Sequence, residues 1–272
     1  MVKTSISRLF KTIVMIATAG LAGIILYGCG NQQTPASENP QPTNEIIEEE
    51  SVSETVEETK EDKSANIDFD KLKENNPDIW GWLTVPGTSI DVPLLQSFDE
   101  PDKYKTKNAE GISDSKGEAY IEIYNMPDMC DFNTVIHGSE ELFGDLVNYE
   151  NPDFFEDNYE FYIYLPENAL TYTIWAVYRR ENNDLFDAYS FADAVGAREF
   201  LDDVYNEKIM GKQIREGWDD VDEYKFLTTL TIDTDEGQQL VVIGALTNDA
   251  AGTINREVIE YLDLGPILLQ EE

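Results

Sequence analysis

Basic residues are scarce in this chain of 272 residues. Its 19 Lys and Arg stand against 55 Asp and Glu, which gives a formal net charge of −36. Because nucleic acid, anionic lipid headgroups and teichoic acid would all be repelled by this charge, they are disfavoured as direct partners, and we expect no nucleic-acid binding. A cationic partner fits the charge better, while solubility alone would also account for it.

Histidine and cysteine are almost absent. The chain has one histidine, His137, and two cysteines, Cys29 and Cys130. Stable metal sites use three or four ligands, more than His137 and Asp233 could supply. The acidic run at 233–237 places its glycine one position earlier than an EF-hand loop does. We therefore expect no cofactor and no metal.

A hydrophobic run long enough to span a membrane is also missing. Residues 12–26 are apolar, short of the ~20 residues that a spanning helix needs, and follow a basic segment, as in a signal peptide. The run ends in Leu-Tyr-Gly-Cys, which resembles a bacterial lipobox. We predict that residues 1–28 are a lipoprotein signal peptide and that the lipidated Cys29 anchors the chain to the outer face of the cytoplasmic membrane. An uncleaved N-terminal anchor is the alternative.

Two further regions follow the predicted lipidation site. Residues 29–64 combine the anchored cysteine with a segment rich in Pro, Gln, Ser, Thr and Glu, which has no apolar periodicity and predicts a disordered acidic spacer. Residues 65–272 are long enough for one domain with its own core. With Cys29 lipidated, Cys130 would be left without a disulfide partner.

The residues of this domain favour β structure. Strand patterns occur at 79–83, 90–95, 118–124, 133–137, 160–165, 170–180, 226–232 and 239–246. Helical patterns begin near Ile67 and at 191–205, the second with Ser190 as its N-cap. We predict a mainly β domain with a few helices, an eight-stranded barrel that hides its strand edges. One helix precedes the barrel and another lies between strands six and seven.

Several of these segments resemble class B sortases, cysteine transpeptidases that attach surface proteins to the Gram-positive cell wall. The resemblance covers 67–246 and is strongest in NNPDIWGWLTVPGTSIDVPLLQ, in TVIHG, in LFGDL and in the last two strands. It implies a sortase-like β-barrel. The T-L-S-T-C pattern of the family ends in the nucleophile, and its match here ends in Asp233. The Y-G-H pattern supplies the catalytic histidine, and its third position is Ser139. The catalytic arginine of the family falls on Gln239.

These three matches decide the predicted chemistry. A transpeptidase needs a thiolate that forms a thioester, and Asp233 carries no thiol. Ser139 has no evident base, and Gln239 has no charge for an oxyanion. Cys130 and His137 are separated by the strand at 133–137, so they do not form a replacement pair. We predict that the chain is not an enzyme and that Ser139, Asp233 and Gln239, with His137, face a groove that binds without cutting.

The predicted function is a binding or scaffold module at the cell envelope, whose partner is an extended or basic peptide or a surface protein. Two alternatives stay open at this point. The chain could be an active sortase or hydrolase that works through misaligned residues or through Ser139 or Asp233. It could also be a structural surface lipoprotein whose useful property is its acidity.

Overall fold

The computed structural model describes residues 66–206, 209, 211–234 and 237–256. The predicted signal peptide, the lipidation site Cys29 and the spacer to residue 64 lie outside the described residues. The described part begins with helix α1 (Phe69–Asn75). Asp68 caps this helix by accepting the amide of Lys71, and Asn76 ends it in an extended conformation, which the following Pro77 requires.

Within the described residues, nine strands form one sheet. In chain order they are β1 (Ile79–Thr84), β2 (Asp91–Leu95), β3 (Ala119–Ile121), β4 (Asn133–His137), β5 (Glu160–Leu165), β6 (Asn168–Glu181), β7 (Gln213–Ile214), β8 (Leu227–Asp233) and β9 (Gln238–Asp249).

The sheet closes on itself. Its order is β5-β1-β2-β3-β4-β8-β9-β6-β7, and the additional pairing of β5 with β6 joins eight strands into a barrel. The two-residue β7 extends β6 outside that ring. The pairs β2–β3 and β4–β8 are parallel, and the other neighbouring pairs are antiparallel. The predicted eight-stranded mixed barrel is confirmed.

Short helices fill the connections. They are α2 (Glu140–Phe143), α3 (Pro152–Asp157), α4 (Leu185–Ala188) and α5 (Ala194–Asn206), with 3-10 turns at Lys103–Lys105 and Gly144–Glu150. The predicted helix between the sixth and seventh barrel strands is α5, although it begins three residues later than the Ser190 cap implies. Asp193 accepts the amides of Val195 and Gly196, so this carboxylate caps α5.

Apolar side chains pack on both faces of β9. Leu240 and Val242 of β9 lie in one core cluster, and the alternate residues Val241 and Ile243 lie in a second with Phe200 of α5. Both faces are buried, which explains the nearly unbroken apolar run of this strand. No helix in the described part of the chain is long and apolar enough to cross a membrane.

Candidate functional site

The site lies where two neighbouring strands end. β4 and β8 are parallel, and their register pairs His137 with Thr231. Parallel neighbours finish at the same edge of a sheet, so the residues after His137 meet the last residues of β8. The amide of Gly138 donates to the carbonyl of Thr231 at 3.1 Å, which fixes the chain as it leaves β4.

The turn into α2 needs a glycine at its first position. A Cβ on Gly138 would lie 2.5 Å from ring atoms of Phe143, which is fully buried. Ser139 follows as the N-cap of α2, and its hydroxyl accepts the amide of Leu142 at 3.3 Å. The Ser139 side chain is thus held at the edge of the site by the helix that it caps.

Asp233 is the last residue of β8 and is exposed, while Gln239 on β9 lies opposite it and is buried. The Gln239 amide nitrogen donates to Asp233 Oδ1 at 3.3 Å, and its oxygen accepts from Arg180 Nη1 of β6 at 2.8 Å. Gln239 therefore lies behind Asp233 and is only 4% exposed. We expected its side chain to face the groove, and in this the prediction was wrong.

An open cleft of about 340 Å³ connects these groups. The structure brings His137, Ser139 and Asp233 together in its lining. The lining also contains two lysines, two glutamates and several uncharged residues. These are Tyr104, Lys105, Lys116 and Glu118 from the segment before β3, Tyr120 of β3, Gly138 and Glu140 beside Ser139, and Thr231 of β8.

The imidazole of His137 is neutral at physiological pH. Its ring stacks on Tyr120 with the centroids 5.1 Å apart, and its side chain is 17% exposed. Burial lowers the pKa of His137 to about 4, because a charged imidazole would lose its hydration there. A neutral imidazole can donate one hydrogen bond and accept another.

Glu122 is a titratable residue that contacts His137 from outside the cleft lining. Its Oε1 lies 3.5 Å from His137 Nε2, and burial, together with the nearby carboxylate of Asp184, raises the pKa of Glu122 to about 7. Asp184 caps α4 by accepting the amide of Phe186. Between about pH 4 and pH 7 the contact between Glu122 and His137 is thus between neutral groups, instead of an ion pair.

Three groups around the site, Glu122, Asp184 and Arg180, were not predicted from the sequence. For Glu122 a signal existed, because strand alternation places it on the same face as Tyr120, and Tyr120 pairs with His137 across β3 and β4. Asp184 lies in a connection and Arg180 in a different hairpin from Gln239, so neither position follows from local pattern.

Cys130 belongs to a different region. It lines a separate cavity of about 210 Å³ with Phe132, Phe191 and Arg256, and burial raises the pKa of its thiol. The cleft contains none of these residues. Among the residues that the structure describes, no group of three or more His, Cys, Asp or Glu side chains is arranged to hold a metal ion.

Comparison with known proteins agrees with this fold. No family model matches the chain. Sortase B of Listeria monocytogenes serovar 1/2a is 28% identical over 185 residues, which cover 64% of this chain and 72% of that protein. Sortase B of Staphylococcus aureus is 22% identical over 54% of this chain and 61% of its own length. The crystal structure of Clostridium perfringens sortase B superposes with a TM-score of 0.60 at 22% identity, and the match covers 66% of this chain and all of that one.

The chain therefore has a class B sortase-like fold, as the sequence predicted, and sortase B proteins are its relatives. The same comparisons correct the prediction that it is not an enzyme. Its relatives and structural neighbours are sortase B proteins, which are transpeptidases. The residues found at three aligned positions are thus not sufficient grounds to set catalysis aside. The correspondence of Ser139, Asp233 and Gln239 with the family's catalytic positions stays a prediction.

Proposed function

We propose that this chain is a sortase-like protein of the cell envelope that binds an extended peptide segment in the cleft between β4 and β8. The observation that carries the proposal is the open cleft of about 340 Å³ at the ends of these two strands, lined by His137, Ser139 and Asp233. This volume is at the lower end of the range for sites that enclose small ligands, so the cleft fits a short segment better than a folded partner.

The lining of the cleft matches the chemistry of a peptide. Tyr120 offers an apolar ring face, the neutral imidazole of His137 can donate and accept, and the exposed Asp233 carboxylate accepts hydrogen bonds. A peptide backbone presents amides and carbonyls that need such partners when they leave water. The net charge of −36 favours a basic segment, whose binding weakens as salt rises.

The proposal includes the location of the protein. The lipobox-like Leu-Tyr-Gly-Cys motif and the acidic segment up to residue 64 support a chain that is anchored by lipid at Cys29 on the outer face of the cytoplasmic membrane. The folded part would then be presented to other envelope proteins at the end of a self-repelling spacer.

A titration tests peptide binding. Basic and neutral extended peptides are added to the wild type, to Asp233→Arg and to the control Glu141→Arg, which makes the same charge change at an exposed residue of α2 outside the cleft lining. We expect basic peptides to shift the amide resonances of Gly138 and Ser139 in the wild type and the control, and to bind Asp233→Arg more weakly. Unchanged cleft resonances at millimolar peptide, or equal binding to all three proteins, would contradict the proposal.

A second candidate function is peptide-bond chemistry at the same cleft. It is favoured by the relationship to sortase B proteins and by Glu122, whose pKa of about 7 suits a group that exchanges protons near neutral pH. The titration mixtures, supplied with a small amine as acceptor, are analysed by mass spectrometry. A cleaved peptide or a new amide in the wild type, lost in Ser139→Ala or Asp233→Ala, would establish this function. Peptides that bind and stay intact would support binding alone.

A further inference from the structure

We propose that Arg180, Gln239 and Asp233 form a relay that makes Asp233 a fixed anionic contact for one primary ammonium group of the peptide in the cleft. The ammonium can be a lysine side chain or a free amino terminus, since both have the same chemistry. This inference rests on the proposed function, and it specifies the chemical class of the ligand and the group that recognises it.

The barrel places the three residues side by side. Register pairs Asp233 of β8 with Gln239 of β9, and Gln239 with Arg180 of β6. The relay therefore crosses three adjacent strands of a closed sheet. Arg180 and Gln239 are 8% and 4% exposed, and Asp233 alone reaches the exposed surface at the cleft.

Arg180 determines which way the Gln239 amide points. A guanidinium has donors and no acceptor, so the carbonyl oxygen of Gln239 must face it, at 2.8 Å from Nη1. The amide nitrogen is then turned toward Asp233 and donates to Oδ1 at 3.3 Å. The second hydrogen bond of this Arg180 nitrogen goes to the carbonyl of Asn183, so both acceptors are uncharged oxygens.

The buried arginine acts on the exposed carboxylate only through the amide that lies between them. A guanidinium removed from water polarises the amide that it contacts, and the polarised N–H is a better donor to Asp233. The hydrogen bond from Gln239 holds the orientation of the Asp233 carboxylate. The carboxylate of Asp233 is thus already oriented before a cationic ligand binds.

Net charge alone would not locate the ammonium, because the cleft has residues of both signs. Lys105 and Lys116 line it together with Glu118 and Glu140. The ammonium of Lys105 is 2.6 Å from Asp102, so it already has an anionic partner. Lys105 is therefore already paired, and the exposed carboxylate of Asp233 can contact a cation of the bound peptide.

Matched peptides test the recognition. The full chain in detergent is titrated with capped pentapeptides of alanine that have lysine, acetyl-lysine or norleucine at the centre, and with an alanine pentapeptide that has a free amino terminus. We expect wild type to bind the lysine or the free-amine peptide about three- to fivefold more tightly than the neutral ones, the size usual for an exposed ion pair. Asp233→Asn should remove the preference, and the exposed Glu141→Gln should keep it.

A second variant tests the relay itself. Gln239→Glu still offers Arg180 an acceptor but takes the donor away from Asp233, so we expect its preference for the lysine peptide over the acetyl-lysine peptide to be smaller than that of the wild type. A lysine preference in Gln239→Glu as large as that of the wild type would overturn the relay. Equal binding of charged and neutral peptides to the wild type would overturn this inference and leave the proposed function standing, whereas no binding of any peptide would overturn both.

Discussion

Glu122 and His137 show how far burial shifts the pKa values of single residues at the site. At about pH 5.5 a glutamate and a histidine in water would form an ion pair, yet here both are held neutral. The pKa of Glu122 is raised to about 7, chiefly by burial, and that of His137 is lowered to about 4 by the same cause. Tyr120 stacks over the imidazole, so the apolar environment that shifts both groups also forms part of the cleft.

The contributions of these two residues to the stability of the fold depend on pH in opposite directions. Glu122 binds a proton more tightly in the folded chain, so its contribution is full below its ordinary pKa of 4.5 and is lost as the pH rises through about 7. His137 binds a proton less tightly when folded, so its contribution is present above 6.5 and is lost as the pH falls toward about 4. Replacing either group alone should therefore reveal the pH dependence of the other.

Glu122→Gln is the first test. The amide resembles the protonated carboxyl, so the variant should match the wild type near pH 4 and exceed it at about pH 8.5 by roughly 1–3 kcal/mol in free energy of unfolding. Urea unfolding at the two pH values measures the difference. The exposed Glu110→Gln is the control and should show no such change between the two pH values. A variant that is less stable than the wild type at both pH values would contradict a protonated Glu122.

At the scale of elements, the strands were predictable and the helix starts less so. Each barrel strand is an apolar or alternating run of five or more residues between turn signals, apart from β3, whose regular part is only Ala119–Ile121. Such patterns are set by burial, which acts on every residue of a strand. Short helices such as α4 depend on one cap and a few tertiary contacts, and α4 was not predicted.

At the site, too, residues at the ends of strong strand patterns could be predicted, and residues placed by tertiary contacts could not. His137, Ser139 and Asp233 lie at the ends of strong strand patterns, so identifying β4 and β8 located them. Arg180 is 59 residues from Gln239 and joins it only through register, which no local pattern specifies. The sequence predicted the groups that face the cleft and missed the buried groups that hold and tune them.

The start of α5 provides a test at this scale. The sequence places the cap at Ser190, while the structure gives this role to Asp193, which accepts the amides of Val195 and Gly196. Asp193→Ala should therefore cost about 1 kcal/mol in free energy of unfolding, the usual loss for an N-cap. Ser190→Ala, which removes only a 3.3 Å contact to Asp193, should cost less than about 0.5 kcal/mol. The reverse order in urea midpoints would place the start of the helix at Ser190.

At the scale of the whole molecule, the barrel and the charge have separate roles. Closure through β5 and β6 pairs the strand edges of the eight-stranded ring, which removes a template for edge-to-edge pairing with other chains. The charge of −36 keeps the chain away from anionic bilayer surfaces, whose potential repels acidic proteins. The proposed membrane association therefore depends on the lipid anchor at Cys29, which lies outside the described residues.

Lipid anchoring at Cys29 predicts a specific fractionation pattern. Two acyl chains hold a protein stably, and salt weakens the repulsion between an acidic chain and the bilayer, so the wild type should resist salt washing and need detergent for release. Its first 28 residues should be absent by mass spectrometry. Cys29→Ser should either leave the membrane fraction or keep these residues as an unprocessed precursor, and Cys130→Ser, the matched control, should behave as the wild type does. If the wild type keeps residues 1–28 and fractionates as Cys29→Ser does, the chain is held by an uncleaved N-terminal segment instead.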